Sequence, residues 1–239
     1  MGRDEAVHIV SPLQEVYYNT MIDGGINSEE VFARDLTESV YKELFYRVKN
    51  WKTIKIALRG ESASGKSVLG HHLKMVIFDL FKEIHNIDCG DHFDMICSDQ
   101  IEFSRKVMEG NIKNTCILID EWNELATTGE NSTTEQALFS SYNDQIGQNY
   151  VARISCTPKS NWRYDQESVI VMDVISRDDE NKTSFCKVYY NDMADDTQIV
   201  PLGKAVFYVG DVFEQDWYER YKKKKRTKMD LLTEKGITT

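Results

Sequence analysis

The sequence predicts an α/β fold in which helices flank a central, mostly parallel sheet and an antiparallel hairpin completes one edge. Up to residue 157, short apolar runs of strand length alternate with stretches whose apolar residues recur at helical spacing. Beyond that point two strand-like runs, 169–175 and 184–190, are separated only by a polar turn, 177–182. Strands joined by a short turn pair antiparallel, whereas parallel strands need a crossover connection, so one sheet is expected to contain both arrangements.

The first elements lead up to the most specific motif of the chain. Residues 1–27 are mixed in pattern, and Ser28-Glu29-Glu30 opens a helix predicted to run to residue 49. Residues 53–58 then have the composition of a short buried strand, and residues 68–78 the apolar spacing of a helix. The glycine-containing segment between them therefore follows a strand and precedes a helix.

That segment, residues 60–67, fits the phosphate-binding pattern G-x-x-x-x-G-K-[ST] at every fixed position. Its two glycines let the backbone bend so that successive N–H groups face one concavity, beside the positive end of the following helix. Lys66 is expected to contact the terminal phosphates of ATP, and Ser67 to ligate the Mg²⁺ ion that they carry. The candidate nucleotide contacts are the whole loop: Gly60, Glu61, Ser62, Ala63, Ser64, Gly65, Lys66 and Ser67.

A second motif, residues 115–121, is an apolar run that ends in two acids. Buried parallel strands read as continuous apolar runs, and α/β sheets place ligand-binding residues at the carboxyl ends of such strands. Asp120 is expected to hold the Mg²⁺ ion, directly or through water, and Glu121 to be the catalytic base that activates water. A core strand whose end is merely solvated by acids has the same pattern, but the 60–67 loop favours the nucleotide site. Because a kinase needs no base for water, the acid pair favours hydrolysis.

The remaining elements continue the alternation. Strands are predicted at 93–97, 151–157 and 205–209, and helices at 98–108, 132–149 and 212–225. The helix at 132–149 opens on the capping-box sequence Ser132-Thr133-Thr134-Glu135. The predicted organisation is an N-terminal helical extension at 1–50, a nucleotide-binding core at 51–220 and a basic C-terminal tail at 221–239.

On these motifs the chain resembles the additional-strand P-loop ATPases, and among them the FtsK–HerA superfamily, which includes viral genome-packaging ATPases. The resemblance covers about residues 50–220 and rests on the 60–67 loop, the 116–121 and 151–157 strands, and residues 161–165 with the strand that follows them. It implies a RecA-like P-loop NTPase fold. The family's polar sensor is often a glutamine, whereas this chain ends the corresponding strand with Ser155-Cys156-Thr157. Thr157 is the candidate nucleotide contact there, and the sensor assignment stays open.

The resemblance also implies an assembly. It implies a homo-oligomeric ring of about five or six subunits that hydrolyses ATP between subunits and translocates double-stranded DNA. Viral genome packaging is the leading case, with a virion or membrane vertex protein as a further partner. An arginine from the neighbouring subunit would stabilise the transition state, with Arg163 as the first choice of catalytic finger and Arg105 as the second.

Charge and composition limit other functions. The net charge is −10, but residues 221–239 carry seven basic and two acidic side chains, so the rest of the chain carries −15. An acidic body argues against a monomeric DNA-binding module, although a ring can confine its DNA contacts to pore loops. Five dispersed cysteines without a C-x-x-C pair argue for a reducing compartment and against disulfides or a zinc site. Since no apolar run has the length of a membrane span and no signal peptide begins the chain, a cytoplasmic location is expected, in the host cytoplasm or the virion if the protein is viral.

Two other classes of protein remain as alternatives. A small-molecule or nucleoside kinase would need a lid with several arginines, and Arg153, Arg163 and Arg177 are too scattered to form one convincingly. A nucleotide-dependent switch protein is the alternative if Glu121 proves dispensable. GTP is disfavoured because the chain has no N-K-x-D guanine motif. The basic run Lys222–Arg226 fits a solvated helix end as well as a contact with DNA or a partner.

Overall fold

The structure, a computed structural model, describes residues 10–22, 31–91, 94–97, 100–108, 112–120, 149–157, 168–191, 199–214 and 219–223. Its helices there are α1 (Pro12–Ile22), α2 (Thr37–Lys49), α3 (Lys66–His85), α4 (Gln100–Met108) and α5 (Gly210–Phe213). Its strands there are β1 (Lys55–Arg59), β2 (Ile96–Cys97), β3 (Cys116–Ile119), β4 (Ala152–Thr157), β5 (Ile170–Asp178), β6 (Thr183–Asn191) and β7 (Ile199–Tyr208). Residues 219–223 are also helical.

The strands form one sheet in the order β2-β3-β4-β1-β5-β6-β7. Strands β2, β3, β4, β1 and β5 run parallel, while β6 pairs antiparallel with both β5 and β7. The predicted α/β class, a mostly parallel sheet with an antiparallel edge hairpin, is confirmed. Strand β4 lies between β1 and β3. The carboxyl ends of β1, β3 and β4 therefore meet at one edge of the sheet.

Both faces of the sheet are buried around β3, and its side chains alternate between two hydrophobic clusters. Cys116 and Leu118 belong to the larger cluster, which includes residues of α1, α2 and α3, while Ile117 and Ile119 belong to a smaller one with α4. This two-sided burial explains why the strand reads as an unbroken apolar run. Helix α3 packs closely here, because a Cβ on Gly70 would lie 2.7 Å from the Leu118 side chain.

Helix α2 differs from the predicted helix at 28–49, because it begins at Thr37. The Asp35 carboxylate accepts hydrogen bonds from the Thr37 N–H at 2.9 Å and from the Thr37 hydroxyl at 2.7 Å. On either side of Asp35, the backbone of residues 34 and 36 hydrogen-bonds with Lys204 of β7. A helix running through Asp35 would lose these contacts with the sheet edge, so the tertiary contact wins over the local helical pattern.

Helix α1 lies within residues 1–27, a part of the predicted helical extension for which the mixed sequence pattern gave no helix bounds. It begins at Pro12, and proline suits the first position of a helix because it lacks only an N–H that has no helical partner. The next N–H, of Leu13, donates to the buried Glu43 carboxylate of α2 at 2.9 Å. Arg47 completes this link through a 2.6 Å ion pair with Glu43. Helix α1 is thus held against α2 by a buried charged pair.

Strand β7 starts at Ile199 rather than at residue 205. Pro201 and Gly203, residue types that are uncommon inside strands, precede the predicted strand. Because β7 is an edge strand, the missing N–H of Pro201 is tolerated. Gly203 lets residues 34–36 pass close to β7, since a Cβ at position 203 would lie 2.7 Å from the carbonyl oxygen of Arg34.

Several predictions fall outside the described residues. These include the helix at 132–149, apart from its last residue, and the segment 161–165. The predicted closing helix at 212–225 corresponds to α5 and to helical residues 219–223, with residues 215–218 and 224–225 outside the described part. None of the described helices has the length and apolar character that a membrane span requires.

Candidate nucleotide-binding site

The loop at 60–67 turns sharply between β1 and α3, at the carboxyl edge of the parallel strands. Gly60, Ala63 and Gly65 have positive φ angles of 153°, 63° and 98°. Left-handed residues among right-handed ones turn successive N–H groups toward one side, which makes an anion-binding concavity. The left-handed conformation costs Ala63 about 1 kcal/mol, a local strain of the kind that binding sites retain.

Strand β5 explains the first glycine of the loop. A Cβ on Gly60 would lie 2.7 Å from the Val174 carbonyl oxygen and 2.7 Å from the Ser64 hydroxyl. The first of these atoms belongs to the β5 backbone, where Val174 pairs with Cys186 of β6 one residue after the last pair with β1, so it has little room to move aside. The loop therefore rests directly on β5 as well as continuing β1.

The Lys66 side chain reaches back across the start of the loop. Its ammonium donates to the carbonyl oxygens of Gly60 at 2.8 Å and Glu61 at 2.6 Å. Helix α3 begins at Lys66, and the N–H groups of a first helical turn have no acceptor within the helix. The loop thus combines a cation, N–H groups at the start of a helix and the positive end of that 20-residue helix, which together suit phosphate oxygens.

Ser67 and Asp120, the two predicted Mg²⁺ ligands, come from α3 and from the end of β3. Tyr221 connects them. Its ring is buried and meets His71, one helical turn beyond Ser67 on α3, edge-on at 5.3 Å. Burial and the neighbouring Asp120 carboxylate raise the pKa of Tyr221, while the Ser67 hydroxyl acts in the opposite direction. The Tyr221 hydroxyl therefore lies beside both predicted metal ligands.

The oxygen atoms of this pair fit the metal that the motif implies. Mg²⁺ prefers hard oxygen ligands and keeps several of its waters, so one hydroxyl and one carboxylate are an ordinary protein contribution. Asp120 is held in place by its backbone, because its N–H donates to the Cys97 carbonyl oxygen of β2 at 2.9 Å. Ser67 and Asp120 are therefore the residues that would hold the ion, which would supply positive charge against bound phosphates.

Thr157 ends β4, between the loop strand and the Asp120 strand, and pairs with Arg59 of β1. Its side chain is fully buried, and its hydroxyl has no hydrogen-bond partner among the described residues. Buried hydroxyls are normally paired, so a partner from outside the described residues or from a ligand is expected. This position and this unsatisfied hydroxyl suit a polar sensor, which remains a prediction for Thr157.

Two arginines near the loop were not among the site residues predicted from the sequence, where Arg177 was considered only for a kinase lid. Arg59 forms a 2.5 Å ion pair with Asp173 of β5, and its guanidinium lies 5.1 Å from the centre of the Tyr189 ring. Burial raises the pKa of Tyr189 to about 12, and Asp173 adds to that effect. Arg177 lies on the other face of β5, with its side-chain carbons against Gly65. No sequence signal marks Arg177, since it lies in a stretch that reads as a polar turn.

The remaining candidates are distributed as follows. Glu121 and Arg163 lie outside the described residues, so their roles stay predictions. Arg105 is exposed on α4. Arg153 is buried and lies near the start of β4, where it pairs with Lys55, so it is at the opposite end of the strand from the loop. Arg153 therefore cannot be part of a lid over the phosphates.

Comparison with known proteins yields only distant likenesses. No protein family model matches the chain, and no curated protein matches it significantly. Among solved structures, flagellar accessory protein FlaH from Methanocaldococcus jannaschii is similar with 15% identity and a TM-score of 0.35. KaiC-like protein PH0186 from Pyrococcus horikoshii OT3 is similar with 14% identity and a TM-score of 0.32. Each comparison covers 64% of this chain and 89% of the other. Likeness at this level does not inform on the chemistry of the site.

Proposed function

We propose that this chain is a Mg²⁺-dependent ATP hydrolase. The proposal rests on the position of the predicted nucleotide and metal contacts, which lie together at the carboxyl edge of the parallel strands. The concave loop, the Lys66 ammonium and the pair Ser67 and Asp120 all meet there. Polyphosphates need N–H donors and a cation, and Mg²⁺ needs hard oxygen ligands, so the same place supplies both requirements.

Different residues would bind the phosphates, hold the metal ion and activate the water. Loop N–H groups and the start of α3 bind the β- and γ-phosphates, and the Lys66 ammonium exchanges its carbonyl partners for phosphate oxygens. Ser67 and Asp120 hold the Mg²⁺ ion, which supplies positive charge against the phosphates when bound. Glu121, the next residue after Asp120, orients a water molecule and accepts its proton as the water oxygen bonds to the γ-phosphorus.

Exchange of Glu121 for Gln tests the hydrolytic role. The amide keeps the size and hydrogen-bonding reach of the carboxylate but cannot accept the proton. We expect Mg-ATP to bind with nearly unchanged affinity while phosphate release falls by about two to four orders of magnitude. ATP affinity from equilibrium binding and phosphate release from steady-state assays give the two numbers. Undiminished hydrolysis would place the base elsewhere, and binding without hydrolysis in the unmodified protein would favour the switch alternative.

At a finer level, we propose that the chain works as an oligomeric ring that translocates double-stranded DNA, with viral genome packaging as the leading case. The support is the motif resemblance, which rests on the 60–67 loop and on the strand that leads to Asp120 and Glu121. A virion or membrane vertex protein would be a further partner. The strongly acidic body restricts DNA contacts to a few basic positions, as a pore would require.

Subunit mixing tests the assembly. Turnover per subunit should rise with protein concentration and with added double-stranded DNA, because a site between subunits is complete only in the oligomer. Arg163→Ala protein should be inactive alone and should regain hydrolysis when mixed with Glu121→Gln subunits, which still offer Arg163. Constant turnover per subunit down to concentrations at which light scattering finds only monomer would contradict the ring. Full activity of Arg163→Ala alone would place the finger elsewhere.

A further inference from the structure

We propose that Arg177 is a catalytic residue of the chain's own site, which donates hydrogen bonds to the terminal phosphate oxygens of the nucleotide bound on its own loop. The inference rests on the proposed function, ATP hydrolysis at this loop, and adds a residue to it. It differs from the neighbour-supplied Arg163 because both the loop and Arg177 belong to one subunit.

The first observation is contact with the loop at its most constrained residue. A Cβ placed on Gly65 would lie 3.1, 3.6 and 3.4 Å from the Cβ, Cγ and Cδ atoms of Arg177. The hydrocarbon part of the arginine therefore lies over the residue that immediately precedes Lys66 and the start of α3. The guanidinium begins one bond beyond Cδ, so it lies close to the loop whose N–H groups form the concavity.

The second observation is a β-bulge that aims the side chain. Along β5, Val174 pairs with Cys186 of β6 and Arg177 pairs with Ser184, and the register shifts between Val174 and residue 176. Directly opposed residues share a face of the sheet, and Ser184 and Cys186 share one because they are two apart. Arg177 thus faces the α3 side together with Val174. In a regular strand, the odd spacing between Val174 and Arg177 would put them on opposite faces, so the extra residue at the bulge brings the arginine to the loop.

The third observation is that the present partners of Arg177 can be exchanged. The guanidinium pairs with Asp179 at 2.5 and 3.0 Å, and its carbon lies 5.6 Å from the centre of the Phe213 ring. The Asp179 side chain is 68% exposed and follows two residues later in the same turn. An ion pair so exposed contributes little stability, whereas a nucleotide phosphate offers several charged oxygens to the same fork of N–H donors.

The other arginines on strands that end at the site are turned away. Arg59 ends β1 and pairs with Asp173, which lies on the opposite face of β5 from Arg177, and Arg153 is buried near the start of β4. In hydrolysis, the water oxygen bonds to the γ-phosphorus as the bond to the ADP oxygen breaks, and the water proton passes to Glu121. Arg177 moves no proton. It donates N–H groups to the oxygens on which negative charge accumulates.

The test compares Arg177→Ala, Arg177→Lys and Asp179→Ala with the unmodified protein. For Arg177→Ala we expect ATP affinity to change by less than about threefold, kcat to fall by about 10³-fold and the complex with Mg-ADP and aluminium fluoride to be lost. Arg177→Lys keeps the hydrocarbon stem over Gly65 and should recover only part of kcat, because one ammonium cannot replace the planar fork of N–H donors. Asp179→Ala removes the ion pair but leaves the arginine, so its kcat should stay within about threefold of the unmodified value.

Three results of these experiments would contradict the catalytic role of Arg177 on its own loop. If Asp179→Ala loses as much activity as Arg177→Ala, the arginine only holds the hairpin, and the proposal is wrong. It is equally wrong if Arg177→Ala keeps its kcat or still captures aluminium fluoride. Mixing Arg177→Ala with Glu121→Gln subunits should restore no activity, and rescue would mean that Arg177 acts on a neighbour instead. Failure of the proposed function would show differently, as absence of ATP turnover in the unmodified protein.

Discussion

A bound nucleotide and its metal ion would have to replace the contacts that Lys66, Ser67 and Asp120 make in this structure. The Lys66 ammonium is bound to two loop carbonyl oxygens, and the Tyr221 hydroxyl lies beside Ser67 and Asp120. A neutral phenol is a poor Mg²⁺ ligand, so a hydroxyl beside both metal ligands competes with the ion. The chemistry of Lys66, Ser67 and Asp120 follows from their residue types, but the competition from Tyr221 depends on where the chain returns after β7.

Tyr221→Phe isolates this competition, because it removes the hydroxyl and keeps the ring that packs on His71. We expect the Mg²⁺ concentration for half-maximal ATP turnover to fall by about two- to tenfold, the scale of one polar interaction removed from beside Ser67 and Asp120. A Mg²⁺ titration of steady-state turnover measures it. Tyr18→Phe, at an exposed position on α1, is the matched control and should leave the titration unchanged. An unaltered or higher Mg²⁺ requirement in Tyr221→Phe would show that the hydroxyl supports the metal site.

At the scale of elements, the sequence predicts well where a pattern is local and poorly where a distant contact decides. The loop at 60–67, the strand that ends at Asp120 and the helix after the loop were predictable because their spacing reflects their own backbone and burial. The start of α2 at Thr37 depends on a bridge to β7, and the early start of β7 depends on its place at the sheet edge. The position of Arg177 depends on a bulge in β5, and neighbouring residues carry no pattern for one extra residue.

Helix α3 also carries a buried cation with a measurable consequence. Lys74 is fully buried, with its ammonium 5.5 Å from the centre of the Phe78 ring. Desolvation lowers the pKa of Lys74 to about 7, while Cys116 and Asp91 act in the opposite direction. In the unfolded chain this lysine keeps its proton to about pH 10.4. Between these values the folded state binds fewer protons than the unfolded state, so stability rises with pH across that window.

Lys74→Met removes this titration and keeps an unbranched side chain of similar length. Relative to the variant, the free energy of unfolding of the unmodified protein should rise by about 2 kcal/mol from pH 7 to pH 9, at no more than about 1.4 kcal/mol per pH unit. Urea denaturation at the two pH values measures it. Lys82→Met, at an exposed position of the same helix, should follow the unmodified protein at both. Parallel profiles for Lys74→Met and the unmodified protein would mean that Lys74 stays charged in the fold.

At the scale of the whole molecule, one sheet edge gathers the site from distant parts of the sequence. The loop follows β1, Asp120 follows β3, Thr157 ends β4, Arg177 lies on β5, and Tyr221 comes from the last described helical segment. The first three could be anticipated because parallel strands present their carboxyl ends together. Arg177 and Tyr221 could not, because each depends on how a later segment folds back over the loop. The charge of the chain is divided unevenly, because residues 221–239 carry +5 and the rest of the chain carries −15. The concentration dependence of turnover tests whether this division serves an assembly.

The most direct test of ATP hydrolysis at this loop is steady-state phosphate release from Mg-ATP by the unmodified protein and by Lys66→Ala. Lys66 is the one loop cation, so its removal should abolish tight Mg-ATP binding and reduce turnover to background. Lys82→Ala, an exposed lysine near the end of the same helix, should retain full turnover and thermal stability. If Lys66→Ala keeps normal turnover, or if the unmodified protein releases no phosphate alone or with double-stranded DNA, ATP is not hydrolysed at this loop.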